Sequence, residues 1–127
     1  MASARFELYL VARPESGPDQ DGGHTAVTWR LLSSNNRDLG RAVTTFADVQ
    51  SCHLMVRRLQ RLIDEATTVQ VRAGRVDWSW RVRLDGQDVA VSSRTYQRRI
   101  QAESACTVFL GLVPDATVTE APRLTRC

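Results

Sequence analysis

Arginines and aromatic residues alternate in one short stretch: residues 78–83 include Trp78, Ser79, Trp80, Arg81 and Arg83. Guanidinium groups pair with carboxylates and phosphates, and aromatic rings stack on flat ligands. The stretch therefore contains the residue types of a binding surface. Whether it forms one depends on which side chains face the core.

Residues for catalysis or metal binding show no comparable pattern. The only histidines are His24 and His53, and His53 follows Cys52 on a predicted helix, where adjacent residues point in different directions. The sequence has no phosphate loop, zinc-ligand spacing or nucleophile elbow. We therefore expect a protein that is not an enzyme, has no catalytic residues, and uses no metal or cofactor.

The composition is that of a soluble globular protein. The chain has 127 residues, of which 43% are apolar and 24% charged, so we expect one domain. No apolar run is long enough to span a membrane, and the N-terminus does not read as a signal peptide. The three cysteines have no metal-ligand spacing, and their odd number argues against a disulfide framework. These features predict a cytoplasmic protein without a membrane partner.

The formal charge of +3 is a weak indicator of nucleic-acid binding. All 17 basic residues are arginine, and the sequence contains no lysine. Since arginine codons are mostly GC-rich, this bias is typical of a bacterial-like, GC-rich genome. The arginine content alone therefore does not identify a phosphate-binding surface.

The order of predicted elements occurs twice along the chain. Residues 5–13, 26–34 and 38–43 read as strands, and an apolar stripe over 44–66 predicts a helix. Residues 67–74, 75–84 and 87–93 are again strands, followed by a helix over about 95–112. Asp85-Gly86 is a hairpin signal. Residues 14–25 read as a mobile loop and 114–127 as a tail, in which 116–120 favour a short strand.

The two halves also match residue by residue. Trp29 and Arg30 match Trp80 and Arg81 at an offset of 51 residues. The first-half turn is one residue longer, and beyond it the offset is 50, pairing Leu39 with Val89, Phe46 with Tyr96, and Leu59 with Phe109. We therefore expect a domain over 1–113 that is made of two repeats, about 5–66 and 67–113.

The second half combines a tryptophan-rich strand, a glycine turn, a strand ending in serine and a tyrosine before a helix: Trp78, Trp80, Arg81, Gly86, Ser92, Ser93 and Tyr96. In this combination it resembles the YegP-like family of small domains of unknown function. The first half departs from the pattern at Val27, Asn35-Asn36 and Phe46. The resemblance implies an α+β fold, in which two β-β-β-α repeats form one antiparallel sheet covered on one face by two exchanged helices. It implies no established chemistry.

Strand alternation assigns the tryptophans to the covered face of this sheet. Trp78, Trp80, Val82 and Leu84 share one side of their strand, as Val27, Trp29 and Leu31 do in the first half. The apolar stripes of the helices need such a partner. We expect each buried indole N–H to find an acceptor.

The opposite face of the sheet is then open. Its candidate partner-binding residues are Tyr9, Arg30, Leu32, Ser79, Arg81 and Arg83. Three interpretations apply to it. It is a solvated face whose arginines pair with carboxylates such as Glu7, a face for a protein partner, or a nucleic-acid surface.

The leading hypothesis is a small interaction domain, of unknown biological role, that binds a protein partner through this open face. The competing hypothesis is nucleic-acid association through the arginines of the open face and of the helices. Duplication places two repeats in one chain, whereas a single-repeat protein would have to dimerise to bring two repeats together. A monomer is therefore favoured over a homodimer.

Overall fold

The computed structural model describes residues 4–12, 25–119 and 122–124. The elements in chain order are β1 (Arg5–Ala12), β2 (Thr25–Leu32), β3 (Asp38–Ala42), α1 (Val49–Arg61), a 3-10 turn (Ile63–Glu65), β4 (Thr67–Ala73), β5 (Asp77–Leu84), β6 (Gln87–Val91), α2 (Arg99–Leu112), β7 (Thr117–Val118) and β8 (Arg123–Leu124). None of the helices in these ranges has the length and apolarity needed to span a membrane.

The strands form one sheet in the order β4-β5-β6-β3-β2-β1-β7, with β8 also pairing with β1. Each half of the chain forms an antiparallel three-stranded unit, and β3 and β6 join the two units antiparallel at the centre. β7 and β8 run parallel to β1. The predicted α+β class is confirmed, and β7 lies in the segment 116–120 that favoured a short strand. β8 and the two parallel pairings were not predicted.

The turn between β5 and β6 has the backbone angles that its two residues predict. Asp85 and Gly86 both have positive φ, 52° and 78°, as the predicted two-residue hairpin requires. The predicted loop lies almost wholly outside the described residues, which resume at Thr25, the first residue of β2.

Both helices begin later than the sequence predicted. After β3 the chain keeps pairing with β2, through hydrogen bonds between the Val27 and Phe46 backbones. Only then does Asp48 cap α1 by accepting a hydrogen bond from the Ser51 N–H at 2.7 Å, a bond that also lowers the pKa of Asp48. In the second half, Trp78 and Tyr96 make the same bridge before α2.

The core lies between the helices and one face of the sheet, as alternation predicted. Trp29, Trp80 and Phe109 are fully buried, and the Phe109 ring lies 4.7 Å from Trp80 and 6.4 Å from Trp29 between ring centroids. Phe6 packs edge-on against Trp29 at 5.2 Å. Trp78 is only partly buried, because it lies at the end of β5.

The helices are exchanged between the two units only in part, whereas the resemblance implied that each helix would cover the strands of the other unit. α1 contacts β1 and β2 of its own unit, and α2 contacts β4 and β5 of its own unit as well as β3 of the other. Arg58, near the end of α1, pairs with Asp85 in the β5–β6 turn. Each helix begins beside a strand of its own unit. Its main contacts are therefore with that unit, and a smaller number of contacts reach the other unit.

The buried indoles differ from expectation. Nε1 of Trp29 and Nε1 of Trp80 have no hydrogen-bond partner of normal geometry among the described residues. Burial raises the pKa of Tyr96, whereas the charge of Arg94 and the indole N–H of Trp80 act in the opposite direction, so the Tyr96 hydroxyl lies near Trp80. The matching position in the first half is Phe46, which has no oxygen to offer Trp29.

Replacing Phe46 with tyrosine is therefore expected to stabilise the protein by about 1 kcal/mol. Phe46 bridges to Val27, two strand positions before Trp29, whose indole N–H has no partner among the described residues. Urea denaturation monitored by tryptophan fluorescence measures the change. Tyr96→Phe is the matched control, and it should destabilise by a similar amount; two effects of the same sign would contradict the assignment.

Candidate functional site

The open face of the sheet carries a row of directly paired residues that crosses both units. The register places Glu7, Arg30, Arg41, Val91, Arg81 and Val69 side by side on β1, β2, β3, β6, β5 and β4. Directly paired residues point to the same side of a sheet. Three guanidinium groups therefore lie on one side of the sheet, away from the helices.

Arg30 joins the β1 side of this face to the start of β3. Its guanidinium lies 5.1 Å from the centre of the Tyr9 ring, and its Nη1 lies 3.5 Å from Oδ2 of Asp38. Oδ1 of Asp38 accepts a hydrogen bond from the Ser93 hydroxyl, across the joint between the two units. These contacts hold the Arg30 side chain over Tyr9, and about a third (32%) of the Arg30 side chain is exposed.

Arg81 and Arg83 share one carboxylate. Nη1 of Arg81 lies 3.0 Å from Oδ2 of Asp88, and Nε of Arg83 lies 2.6 Å from Oδ1. The hydrogen bond from Arg83 has the largest effect on the pKa of Asp88 and lowers it; partial burial opposes this effect and Arg81 adds to it. The two side chains remain 40% and 46% exposed, so solvent reaches their guanidinium groups while one carboxylate holds both in place.

Asp88→Asn is expected to destabilise the protein by less than about 1 kcal/mol at pH 7, because the ion pairs are solvated. The pKa of Asp88 is lowered in the folded state, so its contribution is fully present above the unfolded value and disappears as the pH falls below 3.8. Urea denaturation of both proteins at pH 7 and at successively lower pH measures this. A difference that persists unchanged at pH 2 would show that the effect is not the carboxylate charge.

Arg41 lies at the centre of the row, and sequence reasoning missed it. Its Nη2 donates to the Ser93 carbonyl at 3.1 Å, and its buried Nε has no partner among the described residues. Strand alternation does place residue 41 opposite the buried neighbours Gly40 and Ala42. What the sequence does not show is that β3 pairs with β6, which brings Arg41 between the two units.

The structure separates the six predicted face residues into two groups. Arg30, Arg81 and Arg83 are partly exposed, and Tyr9 lies with them beneath Arg30. Leu32 and Ser79 are buried, although alternation places them on the same side of the sheet. The accessible surface is therefore centred on arginines and Tyr9.

Comparison with known proteins bears on the fold. The solution structure of YegP from Escherichia coli, a protein of unknown function, matches this chain with a TM-score of 0.64 and 13% sequence identity. The match covers all of this chain and 98% of the YegP chain. A UPF0339 protein from Shewanella oneidensis matches 90% of this chain and 89% of its own, with a TM-score of 0.66 and 8% identity. The chain has the fold of these two proteins.

The resemblance drawn from the Trp78–Tyr96 motif is thus confirmed at the level of the fold. No protein-family model matches the chain, and no curated protein matches it. The YegP fold assigns no chemistry, so the function of the open face has to be argued from its own residues.

Among the described residues, cysteine and histidine side chains form no cluster of three or more potential metal ligands. Burial raises the pKa of the Cys52 thiol to about 12 and that of Cys106 to about 11, so both remain protonated at neutral pH. Nε2 of His53 lies 3.1 Å from the Thr119 carbonyl, and this contact joins α1 to the segment after β7.

Proposed function

We propose that this protein is a small non-enzymatic domain that binds a protein partner through the open face of its sheet. The observation that carries the proposal is the row of Arg30, Arg41 and Arg81, which crosses both units in register. Arginine and tyrosine are enriched where proteins bind each other, because both combine apolar area with hydrogen-bonding groups.

The charge of this face favours an acidic partner. Among the described residues it carries five arginines (Arg5, Arg30, Arg41, Arg81 and Arg83) and four carboxylates (Glu7, Asp38, Asp77 and Asp88). Glu7, Asp38 and Asp88 each pair with an arginine of the same face. One positive charge remains in excess, and the paired arginines are already ordered, which lowers the entropy lost when a partner binds.

Charge-matched variants test this proposal. Alanine at Arg30, Arg81 and Arg83 is expected to abolish capture of the partner from a lysate of the source cells, as identified by mass spectrometry. The control replaces Arg57, Arg61 and Arg75, which are exposed and lie on α1 and the β4–β5 turn. This control variant removes the same number of positive charges and is expected to capture the same partner as the wild type. Identical partner sets for all three proteins would overturn the proposal.

Nucleic-acid binding is the second candidate, and one aromatic cluster favours it. The partly buried Trp78 ring is flanked by Arg72 at 5.2 Å and Arg99 at 5.8 Å, and aromatic rings beside arginines are typical of surfaces that stack single-stranded bases. Binding to oligonucleotides should then weaken steeply with salt and fall in both the Arg72→Ala/Arg99→Ala and the Arg81→Ala/Arg83→Ala variants. The absence of binding at low salt would exclude this candidate.

We also infer that the two halves arose by duplication and that the domain acts as a cytoplasmic monomer. The backbone bridges Val27–Phe46 and Trp78–Tyr96 support duplication, since they join positions that match at the offsets of the sequence repeat. The pairing of β3 with β6 supports a monomer, because it supplies within one chain the joint that two single repeats would form. The free, buried thiols of Cys52 and Cys106 are compatible with a reducing compartment.

A further inference from the structure

A groove runs along α2, between the helix and the ends of β3 and β6. One part, of about 530 Å³, includes Arg37, Leu39, Arg94, Tyr96 and Val108 in its lining. A second part, of about 540 Å³, adds Ile100 and Ser104 and shares Arg94 and Tyr96 with the first. Because Ile100, Ser104 and Val108 follow one another at helical spacing, the two parts adjoin along about 12 Å of α2 and meet at Arg94 and Tyr96.

The walls of this groove expose apolar side chains. Ile100 is 61% and Val108 53% exposed, although both are large and apolar. Leu39, Tyr96 and Ala105 are partly buried beneath them and pack on the core. Exposed apolar side chains that converge on a concave surface are a feature of interaction sites.

The charges of the groove are unbalanced. Neither Arg37 nor Arg94 forms an ion pair with any described residue, whereas Asp38, the one carboxylate in the lining, pairs with Arg30 and accepts from Ser93. The groove thus presents apolar walls and two guanidinium groups whose charges are not neutralised within the described residues. A second copy of the chain would not complement it, because a symmetric contact would bring these arginines together.

We propose that this groove binds an acidic amphipathic segment of a partner protein. Carboxylates of the segment pair with Arg37 and Arg94, and its apolar side chains pack against Leu39, Tyr96, Ile100 and Val108. This surface lies along α2 and adjoins the open face of the sheet only at Asp38, so it goes beyond the proposed function and does not depend on it.

Backbone amide NMR with defined probes tests the assignment. The protein is titrated with a pool of ten-residue peptides built from Glu, Asp, Leu, Phe and Gly, and separately with a pool in which Lys and Arg replace the acids. The acidic pool is expected to shift the amides of Leu39, Arg94, Tyr96 and Val108, and the basic pool to leave them unchanged. The Arg37→Glu/Arg94→Glu variant should weaken binding about tenfold or more.

Two further variants make the result specific. Val108→Asp changes an exposed wall residue and should also weaken binding, whereas alanine at Arg81 and Arg83, which pair with Asp88 on the open face and not with the groove lining, should leave the groove shifts intact. No groove shifts with the acidic pool, or equal shifts with both pools, would overturn the proposal. Groove shifts that grow with protein concentration without peptide would identify a second copy as the occupant and would overturn it as well.

Discussion

Replacing Trp80 with alanine is expected to lower the free energy of unfolding by about 3–5 kcal/mol. The indole is fully buried, packs against Phe109 with the ring centroids 4.7 Å apart and the planes tilted by 46°, and lies over Gly40 on the central strand β3. Its removal withdraws apolar contact from both units at once and leaves a cavity between rigid neighbours. Because domains of this size are stable by roughly 5–15 kcal/mol, the loss is a large part of the total.

Trp78→Ala is the control within the same strand. Trp78 is partly buried and interacts with Arg72 and Arg99 near the surface, so its replacement should cost only about 1–2 kcal/mol. Guanidinium denaturation followed by circular dichroism measures both variants. If Trp80→Ala is too unstable to purify, Trp80→Phe should show an intermediate loss. Equal losses for Trp78→Ala and Trp80→Ala would contradict the difference in burial.

Strand alternation was sufficient to predict the two sides of the sheet. Every second residue of β5 is buried from Trp80 through Val82 to Leu84, and Arg81 and Arg83 face the other way. The pattern works here because helices cover one face only, so burial follows the period of the strand. The Asp85-Gly86 turn was predictable for a similar reason, since its backbone angles favour those two residues.

Exposure and register were not predictable to the same degree. Leu32 and Ser79 are on the predicted side but buried, because alternation gives the direction of a side chain and not how much its neighbours cover it. Arg41 was missed because its place in the row depends on the pairing of β3 with β6, between residues about fifty positions apart. Such long-range pairings are tertiary information, and no local pattern in the sequence records them.

Gly40 did carry a signal, since an isolated glycine within a strand often marks a close approach of other groups. A Cβ at this position would lie 2.7 Å from Cε1 of Phe109 and 2.7 Å from Cη2 of Trp80. Carbon atoms pack at about 3.5–4.0 Å, and both rings are fully buried, so neither has free space to move into. Gly40→Ala is therefore expected to destabilise by about 1–3 kcal/mol or more, even though alanine is otherwise preferred to glycine in a strand.

Gly111→Ala gives the opposite sign and serves as the control. A Cβ at Gly111 of α2 meets nothing within 4 Å, so alanine there should stabilise the helix by about 0.5–1 kcal/mol. Chemical denaturation of the two variants separates the steric cost at Gly40 from the general effect of adding a methyl group. Stabilisation by both substitutions would show that the Phe109 and Trp80 rings do not lie against Gly40.

The sequence correspondence between the two halves indicates how the destabilisation caused by a side chain at residue 40 can be relieved. At the offset of 50 residues, Gly40 corresponds to Ala90 and Phe109 to Leu59, and all of these positions are buried. One half thus combines a glycine with a phenylalanine where the other has an alanine and a leucine. Phe109→Leu alone should destabilise by leaving space above Gly40, but in the Gly40→Ala background that space receives the new methyl group. The double variant is therefore expected to lose less stability than the sum of the two single variants, by about 0.5–3 kcal/mol, and strict additivity in this double-mutant cycle would contradict a direct contact between the two positions.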